Sequence, residues 1–175
     1  MLQTELEHIA QGPLRRGVIA LSMSLNEITP ELKMLSEKIE ISDSYRVGVE
    51  GPDRAKYMRG VVLADRNKYA ETDTHEGRLS GHCLVLTPDG RMIQLERSGF
   101  FSRWSKSWTE WTTYPWPLTL TAAIEEYGLD QILHGIVATI ERKIDDKRPR
   151  RAARLRKCLK QIEKNIKWYA THEQE

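Results

Sequence analysis

At Pro117 the chain changes its hydrophobic period from two to 3.6, and few folds accommodate that switch. Before it, residues 80–97 read H-C-L-V-L, then T-P-D-G, then R-M-I-Q-L-E-R, which is a β-hairpin. Pro88 presets φ, Asp89 bonds its own backbone and Gly90 supplies a positive φ. Alternation sets Ile93 and Leu95 on one face and Met92, Gln94 and Glu96 on the other. After Pro117, Thr121 is placed to cap a short helix that runs through Tyr127 and stops at Gly128. Leu129, Ile132, Leu133, Ile136, Val137, Ile140 and Ile144 form a broad apolar face on the next helix. A short D-D-K-R-P linker turns the chain into a last helix with an apolar seam of Leu155, Leu159, Ile162, Ile166 and Tyr169. This arrangement predicts an α+β domain: an antiparallel sheet of four to six strands followed by an antiparallel helical hairpin. Residues 1–118 form its mainly β portion with short N-terminal helices, and 119–175 its hairpin, in one compact domain.

Four of the five tryptophans, Trp104, Trp108, Trp111 and Trp116, fall within residues 100–117, where a loop over 98–106 leads into a third strand that would complete an antiparallel meander with the hairpin. The segment S-W-T-E-W-T-T-Y, closed by Pro115, favours a strand, although Trp104, Trp108 and Trp111 also share one face of a helix. Such a cluster is either a core keystone or a half-buried contact surface. The keystone reading places it where sheet meets hairpin.

Upstream the signals are weaker. Leu2, Leu6 and Ile9 suggest a short helix over 2–10, and Gly17–Leu25 reads as a strand buried at its start. Thr29 and Pro30 have the form of an N-cap and first residue of a helix reaching about Glu40. Tyr45–Glu50 and Gly60–Asp65 read as strands, and polar, aperiodic Arg66–Arg78 as a surface loop.

With 39% hydrophobic and 30% charged residues the chain is neither disordered nor membranous in composition, so a soluble cytoplasmic protein with no membrane partner is expected. Cys83 and Cys158 lie 75 positions apart without metal-site spacing and read as small core hydrophobes. The net charge of +2 conceals a division: residues 147–175 hold ten Lys or Arg against three Glu, leaving 17 basic against 22 acidic elsewhere. That asymmetry concerns partners more than fold.

Arg150, Arg151, Arg154, Arg156, Lys157, Lys160, Lys164 and Lys167 project from the last helix with only Glu163 opposing. Cations arrayed along about 26 Å of helix suit a phosphate backbone or an acidic protein surface. Arg103 beside Trp104 offers a cation–π pair or a stacked base. Asp73, His75, Glu76 and His82 could outline an acid–base site, but no metal-ligand spacing, nucleophile motif or phosphate-binding glycine fingerprint supports one. A non-catalytic chain without metal or cofactor is the expectation. His134, between Leu133 and Gly135, reads as an interfacial histidine.

The turn G-R-M-I-Q-L-E-R, the Trp-rich strand and I-E-E-Y-G-L-D-Q-I-L with its basic following helix resemble small uncharacterised proteins of bacterial genomes and mobile elements, over residues 90–167. The resemblance implies a phage or plasmid accessory protein. The expectations are therefore a binding protein whose basic helix meets nucleic acid or an acidic partner, a protein-level inhibitor or regulator of a nucleic-acid-handling defence system, or an enzyme built on residues 73–82. A homodimer is among the assemblies considered.

Overall fold

In a computed structural model, which describes residues 12–41, 56–71, 77–102, 107–144 and 149–172, the chain is an α+β fold. Helix α1 (Pro13–Ile28) leads through a 3-10 turn (Thr29–Glu31) into the one-turn helix α2 (Leu32–Leu35). Strands β1 (Glu37–Ile41), β2 (Lys56–Glu71), β3 (Gly77–Leu86), β4 (Met92–Ser102) and β5 (Ser107–Leu118) follow. Helices α3 (Leu120–Tyr127), α4 (Leu129–Ile144) and α5 (Pro149–His172) complete it. The strands form one antiparallel meander in sequence order, as short connections favour.

The β3–β4 hairpin closes as its turn chemistry dictates. Gly90, at φ 82°, donates to the Thr87 carbonyl at 2.9 Å, and the Thr87 N–H donates to the Arg91 carbonyl at 2.9 Å. Pro115 and Pro117 lie in β5 opposite Leu95 and Ile93. A proline has no N–H to give a ladder, so within a sheet it is confined to positions such as those of a terminal strand.

The sheet curls until β1 and β5, its first and last strands, come into contact. Its concave side encloses Cys83, Val85, Ile93 and Leu95, with Ile39 and Met58 against them. Its convex side joins Val61, Leu63, Ala64, Leu84, Leu86 and Met92 to the helices in the main core. Ile93 and Met92 thus lie on opposite faces, and both are buried.

Helix α1 occupies residues expected to form a strand. Val18, Leu21, Leu25 and Ile28 are buried at steps of three, four and three, the helical stripe, while S-M-S-L imitates alternation only because Met23 is exposed between two buried serines. Those serines are small residues where helices meet: Ser24 bonds the Ala20 carbonyl and accepts from Asn165 of α5 at 3.5 Å. Thr29 is not an N-cap; its hydroxyl donates to the Leu25 carbonyl and ends α1. The helix expected over 30–40 stops at Leu35, and Glu37–Ile41 pairs with β2 instead. Residues 66–71 and 77–78, expected as loop, extend the β2–β3 ladder to Glu71↔Gly77. Thr119, two residues before the expected cap, accepts from the Ala122 N–H at 3.1 Å. Residues 2–10 and 45–50 lie outside the described residues.

The three long helices pack against one another, and of the three it is α4 that lies directly against the sheet, at β2. Glu31 at the end of α1 meets Arg154 at the start of α5, while Gly17 near the start of α1 lies beside both Leu129 and Tyr169. Helix α5 therefore runs antiparallel to α1 and to α4, and the hairpin closes within the chain. Its seam is only part of its buried face: Leu155 and Ile162 are fully buried, Ala152 and Asn165 nearly so. Each such aliphatic burial stabilises by about 1.5–3 kcal/mol. Helix α4 touches β2 so closely that a Cβ at Gly135 would overlap the Leu63 carbonyl oxygen. His134, its neighbour, is exposed and not an interfacial group. The N-terminal helix packs on the C-terminal pair, so residue 118 divides the chain by element type and not by packing.

Candidate nucleic-acid interface

Helix α5 spans 24 residues without an internal Gly or Pro, and it is an uninterrupted platform for its charges. With the helix seated on α1 and α4, its eight candidate cations divide into two groups. Arg154 Nε lies 3.5 Å from Glu31 Oε1, and Arg151 is half-buried and already engaged. These two are committed to contacts within the fold.

Arg150, Arg156, Lys157, Lys160, Lys164 and Lys167 are exposed, and among the described residues none forms an ion pair. At 100° per residue they fall within a sector of roughly 120° on the solvent side. Glu163 is the single acid on that side, at its rim. The two flanks of the helix are occupied by its neighbours: Cys158 Sγ lies 3.4 Å from the Glu27 carbonyl of α1, and Leu159 and Ile166 join the core. Burial pushes the Cys158 thiol up, with the Glu31 and Glu27 charges adding to it, which disfavours the thiolate. Cys83 is buried in the concave cluster, and neither cysteine forms a disulfide.

Arg103 and Trp104 lie outside the described residues, as do Asp73, His75 and Glu76. For Trp108 and Trp111 the register alone is described, pairing them with Phe101 and Ser98. Trp116, opposite Gln94, is 64% exposed and so is not a core keystone at the sheet–hairpin junction.

His82 lies on the convex face of β3, where α3 covers the sheet. Its Nε2 is 2.9 Å from Glu126 Oε1, Arg66 Nη1 lies 3.6 Å from the same oxygen, and its ring stands edge-on to Tyr127 with centroids 5.4 Å apart. Glu126 is 44 residues from His82 and had no motif to mark it; only the docking of α3 brings them together. The Tyr127 phenol is pushed above its ordinary range by burial, reinforced by nearby Cys83 and Glu126. This arrangement ties α3 to β2 and β3. Among the described residues no group of three or more His, Cys, Asp or Glu could hold a metal ion. No described helix is long and apolar enough to cross a membrane. Comparison with known protein families, curated proteins and solved structures finds no match for this chain.

Proposed function

We propose that the chain is a non-catalytic binding protein whose α5 helix engages nucleic acid through its exposed side. The observation that carries this reading is the separation of cations on one helix. Arg151 and Arg154 are spent on the fold, while Arg150, Arg156, Lys157, Lys160, Lys164 and Lys167 stand on the solvent side without an ion pair among the described residues. A solvated helix face usually interleaves both signs, and here six cations meet one acid. Neutralising phosphates with such an array releases condensed counterions, which drives binding without any base-specific contact. An accessory protein of a mobile element is a setting that suits such an activity.

The test is fluorescence anisotropy with labelled oligonucleotides across a salt series. Lys157→Gln, Lys160→Gln and Lys164→Gln combined should weaken binding and flatten the salt dependence by about 0.9 for each phosphate that is no longer neutralised. Arg154→Gln should leave that slope unchanged. Binding unaltered in the triple variant removes the assignment. Absence of nucleic-acid binding, with saturable and charge-dependent binding to poly-glutamate, transfers the face to an acidic protein partner.

A further inference from the structure

We infer that the exposed side of α5 is shaped for the backbone of double-stranded DNA, read without sequence preference. This rests on the nucleic-acid reading above and narrows its substrate. Ala153 and Thr171, 18 residues apart, lie on one line along the outermost ridge of the helix. Arg156, Lys160 and Lys167 fall to one side of that line and Arg150, Lys157 and Lys164 to the other. Three cations thus lie to each side of that line, Lys160 and Lys164 within about 20° of it.

A ridge flanked by two charged rows matches a groove with a phosphate wall on either side. The B-DNA major groove, about 12 Å wide, admits an α-helix of about 10–12 Å diameter. From Arg150 to Lys167 the array runs about 26 Å, or about eight base pairs, and both walls present phosphates along that length. Duplex RNA offers no equivalent, because its major groove is deep and narrow.

Single-strand recognition asks for a different surface. It depends on aromatic platforms that stack successive bases, within a basic groove. The exposed side of α5 is convex, and its one aromatic residue, Trp168, is half-buried and already engaged. Trp116, exposed among the described residues, belongs to β5 and not to α5. Sequence preference is not required: Asn165 is buried against Ser24, and the exposed set is made up of Lys and Arg, whose contacts to phosphate carry no sequence information.

The experiment compares a mixed-sequence DNA duplex of about 24 base pairs, three times the footprint of the array, with its separated strands and with an RNA duplex of equal length. With all six cations engaged, the logarithm of duplex affinity should fall with that of salt at a slope near −5, at about 0.9 per neutralised phosphate. The single strands and RNA should bind at least tenfold more weakly at about 0.1 M salt. Two paired variants test the geometry: Arg156→Gln with Lys167→Gln on one flank, and Arg150→Gln with Lys157→Gln on the other. Each pair should flatten the duplex slope by about two. Equal or tighter binding of single strands or RNA, or a flank whose neutralisation changes nothing, overturns this inference while the nucleic-acid reading stands. No binding to any of the three overturns both.

Discussion

Arg154 Nε lies 3.5 Å from Oε1 of Glu31, a carboxylate only 8% exposed at the junction of α1 and α2, so an arginine of the basic helix serves as the counter-charge of a buried acid. The arginine itself is 67% exposed, which discounts its side of the pair for solvent screening. The carboxylate has no such recourse.

Removing Arg154 should therefore act on stability and not on polyanion affinity. Arg154→Ala leaves Glu31 buried without its cation, at a cost of about 1–2 kcal/mol. Glu31→Gln in the same background should recover most of that loss. Urea unfolding of the two single variants and the double variant measures the coupling; additive losses would show that the pair contributes nothing.

Gly135 fixes the distance between α4 and the sheet. A Cβ there would overlap the Leu63 carbonyl oxygen, and backbone, unlike a side-chain tip, cannot step aside. Gly135→Ala should destabilise by about 3 kcal/mol or more, despite the higher helix propensity of alanine. Circular dichroism melts decide it, and an unchanged or raised melting temperature would falsify the close approach.

The Glu37 carboxyl is held below its ordinary value by the hydrogen bond from Lys143 Nζ at 3.0 Å, against the opposing effect of burial, with Arg142 at 3.5 Å adding to it. A lowered folded value means the tether between β1 and α4 stabilises above the ordinary value of about 4.5 and is lost as pH falls through the folded one. Because Glu37 is 50% exposed, its contribution is below about 1 kcal/mol. Glu37→Gln should flatten the stability profile between about pH 5 and 3 and leave pH 7 stability lower by that small amount. A profile identical in wild type and variant would show that the tether is not formed in solution.

Trp116 is 64% exposed on an edge strand between two exposed prolines. Trp116→Ala should lower stability by less than about 1 kcal/mol, against the roughly 3–5 kcal/mol typical of a buried tryptophan. Ile162→Asp, which places a charge at a fully buried position of α5, should unfold the domain. Differential scanning calorimetry of the two variants ranks them; a large loss for Trp116→Ala would put that ring in a core.

Local chemistry sufficed where turn residues or a helical period decided. The hairpin follows from Pro88-Asp89-Gly90 and the α4–α5 pair from its apolar period, which coincides with the burial of Leu129, Ile132, Ile136, Ile140, Leu155 and Ile162. The row of cations on α5 was equally legible, since exposed charge is written directly in residue type. What tertiary structure decided are the places where one sequence pattern serves two environments. Val18 to Leu25 could alternate or spiral, and burial of Val18, Leu21 and Leu25 on the side packed against the other helices goes with the spiral. Glu37–Ile41 could extend a helix, and pairing with β2 draws it into the sheet. Arg154 is indistinguishable in sequence from Lys157 or Arg156, yet the fold gives it Glu31 and leaves the others to solvent, because charge is a property of the residue and its partner a property of the packing.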